Sequence, residues 1–286
     1  MSFLTTFMKK IKIKRKKPLD LVLFLLTWFC AAITAVVLCV IIGYILINGI
    51  PYIRLSLFSR VVTPDNVSLY PALIGTLMMV GLALAFAVPI GVFSAIYLVE
   101  YAKRGSRFVK IVRTTTETLA GIPSIVYGLF GFIFFSVTLG WGFSLISGTL
   151  TVSIMILPLI MRTTEESLKS VPDTFREGSF GLGAGRLRTV FRIVLPSAMP
   201  GILGGVILAT GRIVGETAAI LFTLGNVSRV PNNLLDTGRT LAGHMYSLAS
   251  EGQHVGTAHA TAAILLIVVI IVNTISALLA KLLTKG

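Results

Sequence analysis

The sequence predicts an all-α polytopic membrane protein with six transmembrane helices, and three observations support this prediction. Only 13% of the 286 residues are charged and 55% are hydrophobic, whereas a water-soluble domain carries about 25% charged residues. Several apolar runs are long enough to cross a membrane, and most of the 25 Lys and Arg residues lie between these runs. So few charges cannot cover a soluble surface, and lipid is therefore expected around most of the chain.

The first two predicted spans follow from apolar runs that contain no charged residue. A helix needs about 20 apolar residues to cross about 30 Å of hydrocarbon. Residues 21–47 supply the first span and residues 69–99 supply the second. The two cysteines, Cys30 and Cys39, both lie in the first run, so a disulfide framework is not expected.

The third and fourth spans come from one charge-free run, residues 118–161. A single helix of that length would rise about 66 Å, twice the thickness of the hydrocarbon. The run is therefore expected to fold back on itself. Gly140-Trp141-Gly142 and Ser147-Gly148 mark the predicted turn, because glycine and serine pairs are typical of turns.

Two further runs predict the last two spans. Residues 193–224 form the fifth, which contains Arg212 and Glu216, and residues 260–280 form the sixth. A charged side chain near the bilayer centre costs roughly 2.5–3.5 kcal/mol on insertion scales. These two side chains are therefore candidates for a function.

The distribution of cations predicts the orientation in the membrane. Lys and Arg cluster in four segments, which are 1–17, 103–113, 162–192 and 281–285. Cytoplasmic loops carry an excess of these residues, so both termini are expected in the cytoplasm. The basic tail also suits contact with anionic lipid. Since the cations are not gathered on a soluble face, nucleic acid is not an expected partner.

The predicted spans divide the chain into three parts. These are a basic cytoplasmic tail at 1–17, a first transmembrane helix with its outer loop at 18–60, and a core of five transmembrane helices at 69–283. The core contains a cytoplasmic loop at 163–192 and an outer loop at 225–257. Three histidines lie in or beside the outer loop at spacings that match no usual metal pattern, so we predict solvent exposure and no metal site. They are His244, His254 and His259.

The cytoplasmic loop contains a pattern that predicts a docking surface. Pro172-Asp173 is a helix-start pair, and residues 174–182 follow as a short predicted helix. Phe175 and Phe180 are aromatic residues in a segment that water should surround, and exposed aromatics on a short helix are typical of a docking surface. Gly183 then permits a sharp turn back toward the membrane.

This loop resembles the coupling-loop signature of permease subunits of ABC importers. The resemblance rests on Glu177-Gly178-Ser179, Gly183 and Ile193-Val-Leu195-Pro196, at the spacing that the family shows. The family pattern begins Glu-Ala-Ala, so Gly178 and Ser179 are small-for-small departures. The resemblance implies a type I ABC importer permease fold and a helix that inserts into a groove on a cytoplasmic ATPase. The implied coupling residues are Phe175, Glu177, Gly178, Ser179, Phe180 and Gly183.

Residues 70–283 also resemble phosphate-specific permeases, and the A-type (PstA-like) subunit most of all. Gly211-Arg-Ile-Val-Gly-Glu-Thr-Ala218 with Phe222, and Thr118-Leu-Ala-Gly-Ile-Pro-Ser-Ile-Val-Tyr-Gly128, carry this resemblance. It implies a bacterial inner-membrane subunit that imports phosphate. The implied partners are a second permease (PstC-like), an ATPase dimer (PstB-like) and an extracytoplasmic phosphate-binding protein (PstS-like).

Nucleotide chemistry is expected on the ATPase partner. The glycine cluster Gly181-Leu-Gly-Ala-Gly185 lacks the Gly-Lys-Ser/Thr that follows in a phosphate-binding loop. ATP and Mg²⁺ would therefore bind the ATPase subunit. This chain is expected to be neither an enzyme nor the holder of a cofactor.

The charges inside the fifth span admit two interpretations. Arg212 and Glu216 are four residues apart, which places them on one face of a single helix, where they could neutralise each other. Alternatively, Arg212 lines the substrate pathway and binds phosphate, Glu216 orients its guanidinium, and Thr217 adds a hydroxyl. Phosphate suits this site because a guanidinium binds its oxygens in bidentate fashion.

A second charged pair, Arg162 and Glu165, stands at the cytoplasmic end of the fourth span. Arg162 either extends to the membrane interface or, with Glu165, forms part of the inner gate. Two other functions remain open for the whole chain. One is an ABC permease for another oxyanion such as sulfate or molybdate. The other is an ion-coupled secondary carrier, which would have no need of an ATPase dock.

Overall fold

The computed structural model describes residues 18–60, 67–103, 105–252 and 254–283. Throughout these ranges the secondary structure is helical and no strand occurs, which confirms the predicted all-α class. The chain divides into two compact units, of which the first ends at Asn48 and the second begins at Gly49.

The first unit contains all but the last residue of helix α1, Pro18–Gly49, which carries the first predicted span. Its side chains from Val22 to Val40 are exposed, and nearly all of them are apolar. A helix that is apolar on every side is typical of a membrane span. Cys30 and Cys39 are free and exposed on it.

The second unit opens with two short 3₁₀ segments, Ile50–Tyr52 and Leu55–Phe58. Its first helices are α2 (Tyr70–Ile96, followed by a π turn at Tyr97–Tyr101), α3 (Arg107–Ala120), α4 (Ser124–Gly131, followed by a π segment at Phe132–Thr138) and α5 (Leu145–Lys169). The remaining helices are α6 (Asp173–Gly181), α7 (Arg186–Thr189, followed by a π segment at Val190–Val194), α8 (Leu195–Val214), α9 (Ala218–Thr223), α10 (Leu241–Glu251) and α11 (Val255–Leu283).

Among the described residues, five helical elements are long and apolar enough to cross a membrane: α1, α2, α5, α7 with α8, and α11. A sixth span results if α3 and α4 count as one, although they are bent by 102°. The predicted third span, which starts at Thr118, is not continuous, because Thr118 lies in the last turn of α3 and α4 begins only at Ser124. Pro123, which fixes an extended backbone before α4, makes this break.

Only the first half of the predicted turn between the third and fourth spans is a turn in the structure. Gly140 and Gly142 have φ values of +72° and +59° and reverse the chain as expected. Ser147 and Gly148, however, lie inside α5, which begins at Leu145 and is capped by the Ser144 side chain. A serine at the N-cap stabilises a helix start because it accepts a hydrogen bond from an otherwise unpaired backbone N–H.

The core of the second unit lies between α2, α5, α8 and α9. Met79, Met155, Ile156, Ile213 and Leu224 are fully buried there. Hydroxyl groups join the same helices: the Ser153 hydroxyl donates to the Ala83 carbonyl at 3.2 Å and to the Thr149 carbonyl at 2.7 Å. Since lipid tails are as apolar as these side chains, close packing and such hydrogen bonds hold the spans together.

Two glycines bring α8 against α5. A Cβ atom at Gly201 would collide with Ser167, and a Cβ atom at Gly205 would collide with the Thr163 side chain. Glycines four residues apart let two membrane helices approach closely. This contact fixes α8 beside the C-terminal end of α5, where the loop at 163–192 begins.

Candidate functional site

The predicted short helix of the cytoplasmic loop is present as α6, Asp173–Gly181, and this prediction is confirmed within one residue at each end. Pro172 adopts an extended conformation (φ −57°, ψ 139°) and stops the preceding helix from continuing into α6. Asp173 stands in the first turn, where a carboxylate interacts favourably with the helix dipole.

The end of α6 is a Schellman turn built around Gly183. The Gly183 N–H donates to the Phe180 carbonyl at 2.9 Å, and the Ala184 N–H donates to the Ser179 carbonyl at 3.1 Å. Gly183 has a φ of +82°, which only glycine adopts without strain. Gly181 and Gly185, which also stand in this glycine-rich stretch, do not share the left-handed conformation.

Five of the six predicted coupling residues are exposed: Phe175, Glu177, Gly178, Phe180 and Gly183. Phe175 exposes 53% of its surface, and the neighbouring Leu182 exposes 90%. Large apolar side chains exposed in water are typical of a surface that another protein covers.

The sixth coupling residue, Ser179, is buried instead. Its hydroxyl lies 2.8 Å from the Thr189 hydroxyl and so fastens α6 to α7.

Helix α6 lies between two cavities. One, of about 550 Å³, runs along the face that contains Phe175, Gly178 and Leu182, and Arg188 and Arg192 line it too. The other, of about 920 Å³, runs along the opposite face and is rich in cations. Its charged lining residues are Glu100, Lys103, Arg113, Lys169, Asp173, Arg176 and Arg186.

Arg176 anchors α6 to the ends of two spans. Its guanidinium forms an ion pair with Glu100 at 2.7 Å, and both side chains are largely buried. It also donates to the carbonyls of Leu168 and Val171, at 2.9 and 2.7 Å, and to the exposed carboxylate of Asp173 at 3.2 Å.

The sequence offers no local signal for the Arg176–Glu100 pair. The two residues are 76 positions apart. Only the packing of α6 against the end of α2 brings them together.

The fifth predicted span is broken, and this corrects the expected geometry of its charges. Helix α8 ends at Val214, and α9 begins only at Ala218. Arg212 and Glu216 therefore do not share one helix face. The Glu216 carboxylate is buried and accepts a hydrogen bond from the Ala219 N–H at 3.0 Å, which caps α9. Its predicted role of holding the guanidinium is wrong in this structure.

Arg212 is exposed in the last turn of α8. Within the described part of the chain, no carboxylate lies within ion-pair distance of its guanidinium. The side chain interacts electrostatically with Tyr127 of α4, whose hydroxyl donates to the Leu119 carbonyl at 2.8 Å. Thr217 lies in the break between α8 and α9, and its half-buried hydroxyl contacts the Gly215 carbonyl at 3.5 Å. Arg212, Thr217 and Tyr127 thus lie around two helix breaks.

The predicted pairing of Arg162 with Glu165 is wrong. Arg162 instead pairs with Glu166 at 3.0 Å, one helix turn further on, and both side chains are exposed. Glu165 is largely buried between two other cations, Arg113 of α3 and Lys169, with Lys169 at 2.6 Å. Residues three and four apart are both neighbours on a helix face. Glu165 already pairs with Arg113 and Lys169, and Arg162 pairs with Glu166.

The outer loop also differs from the prediction at one histidine. His244 in α10 is fully buried rather than exposed, while His254 and His259 are half-buried. Its Nδ1 lies 3.0 Å from a guanidinium nitrogen of Arg239. Burial, with a smaller contribution from the Arg239 charge, lowers the pKa of His244 to about 4. The imidazole is therefore neutral at physiological pH and accepts a hydrogen bond from Arg239.

Known proteins share this architecture. The chain resembles one subunit of the MetNI methionine ABC transporter with a TM-score of 0.60 and 17% identity, over 76% of this chain and 94% of that one. It also resembles a chain of a bacterial ABC transporter that imports the acidic polysaccharide alginate, with a TM-score of 0.55 and 20% identity, over 89% and 98% of the two chains. At these identities the likeness concerns the fold, and it confirms the predicted permease fold.

Closer sequence relatives carry permease names. The probable ABC transporter permease protein YqgI of Bacillus subtilis (strain 168) is 33% identical over 241 residues, which cover 78% of this chain and 81% of YqgI. The phosphate transport system permease protein PstA 1 of Mycobacterium tuberculosis (strain ATCC 25618 / H37Rv) is 43% identical over 168 residues. That alignment covers 58% of this chain and 54% of PstA 1, so the chain matches about half the length of this relative.

The sequence model of one family matches most of the chain. It is described as the binding-protein-dependent transport system inner membrane component, and it matches residues 87–286. The matched region contains the end of α2, helix α6 and both helix breaks. The chain therefore belongs to the family of inner-membrane permease components of binding-protein-dependent ABC transport systems.

Proposed function

We propose that this permease subunit forms part of the translocation pathway of an ATP-driven phosphate importer. The exposed guanidinium of Arg212 is the single observation that carries the proposal. The names of the PstA relatives support the choice of phosphate.

An unpaired arginine inside a membrane has a free-energy cost that some interaction must offset. On insertion scales it costs roughly 2.5–3.5 kcal/mol at a helix centre. Its place in the last turn of α8 offsets part of this cost, because a cation there interacts favourably with the helix dipole. Glu216 offsets none of it by pairing, since its carboxylate caps α9. A water-filled path that admits an anion would offset the rest of this free-energy cost.

Phosphate fits a free guanidinium in such a path. It carries a charge near −1.5 to −2 at neutral pH, as phosphate monoesters do. Arginine offers five N–H donors in a planar fork and binds two phosphate oxygens at once. The helices break at Gly121–Pro123 and at Gly215–Thr217, and the second break follows Arg212 within three residues. Non-helical backbone at membrane depth is tolerated where it lines a water-filled cavity.

The assembly that we propose has four kinds of subunit. This chain would pair with a second permease, and the coupling helix α6 would insert into an ATPase dimer that binds ATP and Mg²⁺. Arg188 and Arg192 beside α6 would then face acidic residues of that ATPase. A phosphate-binding protein would dock on the outer loop. Both termini would lie in the cytoplasm, as the cation distribution predicts.

Phosphate uptake by Arg212 variants tests the proposal. In cells that rely on this importer, Arg212→Gln should lower radioactive phosphate uptake by at least about tenfold, which corresponds to about 1.4 kcal/mol. Arg212→Lys should also fail largely, because an ammonium cannot form the bidentate contact. Arg107→Gln is the matched control, since that arginine is exposed at the start of α3 and has no part in the proposed pathway.

Two further measurements complete the experiment. Co-purification of the ATPase with each variant shows that the complex assembles. Competition with unlabelled sulfate and molybdate identifies the oxyanion, and only phosphate should compete efficiently. Uptake by Arg212→Gln near the wild-type rate would rule out a role for this guanidinium in the pathway.

A further inference from the structure

Helix α2 is attached to the coupling helix at one end. Glu100, in the π turn that ends α2, exposes 8% of its side chain and pairs with Arg176 of α6. Both carboxylate oxygens accept from the guanidinium, at 2.7 Å for the closer one and 3.4 Å for the other. The pair is the polar contact through which α2 holds α6. A buried ion pair is strongly disrupted when one partner loses its charge.

The other end of α2 is attached to the outer loop. The Thr76 hydroxyl accepts a hydrogen bond from the Leu241 N–H at 2.8 Å, and both residues are buried. One residue earlier, Gly75 faces the Arg239 carbonyl so closely that a Cβ atom would collide with it. Arg239 and Leu241 introduce α10, the helix of the outer loop. The loop therefore rests directly on the first turns of α2.

The distance between the two attachments matches a membrane. Thr76 and Glu100 are separated by about 36 Å of helix rise. Helix α2 runs without interruption through Pro89 to Ile96. Its middle packs on α5, where the Ser153 hydroxyl donates to the Ala83 carbonyl and a Cβ atom at Gly91 would collide with the Ile160 side chain. A rigid helix with a fixed contact at each end can carry a displacement from one side to the other.

We propose that α2 transmits docking of the binding protein on the outer loop to the coupling helix, and that Glu100 is the positioning residue at the inner end. This inference rests on the proposed function, because it assumes the binding protein outside and the ATPase inside. Movement of the Arg239–Leu241 segment would shift α2 along or about its axis. Glu100 would then move Arg176, and with it the α6 surface that contacts the ATPase.

Asp173 provides a matched control for Glu100. Its carboxylate bonds the same guanidinium at 3.2 Å, but it stands on α6 itself and is largely exposed. Removing its charge leaves the link between α2 and α6 intact. Both Glu100→Gln and Asp173→Asn remove one carboxylate from Arg176, but only Glu100→Gln breaks the contact between α2 and α6. A loss of stimulation by the binding protein that appears only in Glu100→Gln would therefore result from the broken contact.

The experiment uses the complete complex in lipid nanodiscs, with the binding protein saturated with inorganic phosphate. ATP hydrolysis is measured with and without that protein for wild type, Glu100→Gln, Thr76→Val and Asp173→Asn. We expect the stimulation by the binding protein to fall about fivefold or more in Glu100→Gln and Thr76→Val, in the range of typical coupling energies. Basal hydrolysis should persist, and Asp173→Asn should be stimulated like wild type.

The outcomes separate this inference from the proposed function. A wild-type complex that phosphate-loaded binding protein does not stimulate contradicts the proposed function. The role of α2 is overturned if the binding protein stimulates either Glu100→Gln or Thr76→Val as strongly as the wild type. It is also overturned if Asp173→Asn loses as much stimulation as Glu100→Gln. If Glu100→Gln fails to assemble, Thr76→Val decides alone, because it lies at the opposite end of α2 from the coupling helix.

Discussion

Gly183 is the residue around which the chain turns after helix α6 ends. Its φ of +82° places it in the left-handed region, and two backbone hydrogen bonds close the turn around it. Any side chain at this position would be strained whatever space surrounds it. Gly178, three residues from the end of α6, has an ordinary helical conformation and open space around it, so a methyl group there meets nothing. Neighbouring glycines in one motif thus serve different purposes.

His244 makes the stability of the outer loop depend on pH. Its pKa is lowered to about 4 in the folded protein, against about 6.5 in an unfolded chain. The folded state therefore binds fewer protons, and the stabilisation is complete above about pH 6.5. It is lost as the pH falls toward 4, by up to about 1.4 kcal/mol per pH unit.

Thermal unfolding between pH 8 and pH 5 measures this effect. His244→Gln keeps an oxygen that can accept from Arg239 but cannot titrate, so its melting temperature should fall less steeply with acid than that of wild type. His254→Gln is the control and should follow the wild-type curve. Parallel curves for wild type and His244→Gln would contradict the assignment of the neutral imidazole.

At the scale of elements, the contact between α5 and α8 depends on one glycine more than on its neighbour. A Cβ atom at Gly205 would collide with the Thr163 hydroxyl, which is itself held by the Leu159 carbonyl at 2.9 Å. Gly204 has open space at the same position. Gly205→Ala should therefore lower the free energy of unfolding by about 1–3 kcal/mol, the usual cost of overpacking.

Gly204→Ala is the matched control for this change. It should be neutral or slightly stabilising, because alanine favours a helix by about 1 kcal/mol over glycine. Melting temperatures of the two variants in detergent provide the comparison. Equal melting temperatures would mean that α5 and α8 separate enough to accept the methyl group.

The sequence determines the existence of most helices but not all of their ends. Charged residues bound the apolar runs of α1, α2 and α11, and the predicted spans agree with those helices. Within a charge-free run the breaks depend on local residues such as Gly121–Pro123 and Gly215. Proline and glycine also occur inside continuous membrane helices when neighbours restore the packing, as Pro89 does in α2. Composition alone therefore cannot tell a break from a continuous helix.

The bounds of helix α6 were easier to predict from the sequence than the partners of the charged residues. Helix α6 follows from local signals, namely Pro172-Asp173 at its start and Gly183 at its end. The partners of Arg176 and Glu165 lie on distant helices, α2 and α3, and follow only from tertiary packing. The spacing of Arg212 and Glu216 predicted that they share one helix face, which requires a continuous helix. This prediction is wrong because the chain bends at Gly215.

At the scale of the whole molecule, the cation distribution makes a testable statement about sidedness. In a variant with serine at both native cysteines, Lys110→Cys and Leu235→Cys each place one thiol at an exposed position. An impermeant thiol reagent added to intact cells should label Leu235→Cys only, because residue 110 is predicted to face the cytoplasm.

Labelling of both variants after the membrane is opened shows that each thiol is reactive. If intact cells label Lys110→Cys and spare Leu235→Cys, the orientation is the reverse of the predicted one. The coupling helix would then lie outside the cell, where no ATPase could meet it.

Helix α1 exposes apolar side chains on every side. Within two turns, Leu23, Leu26, Trp28 and Phe29 are exposed on different sides of it. Such a helix supplies the length and the apolar surface that crossing a membrane requires. An unrelated apolar helix of the same length should anchor the chain equally well. The family model matches residues 87–286, so this helix lies before the matched region.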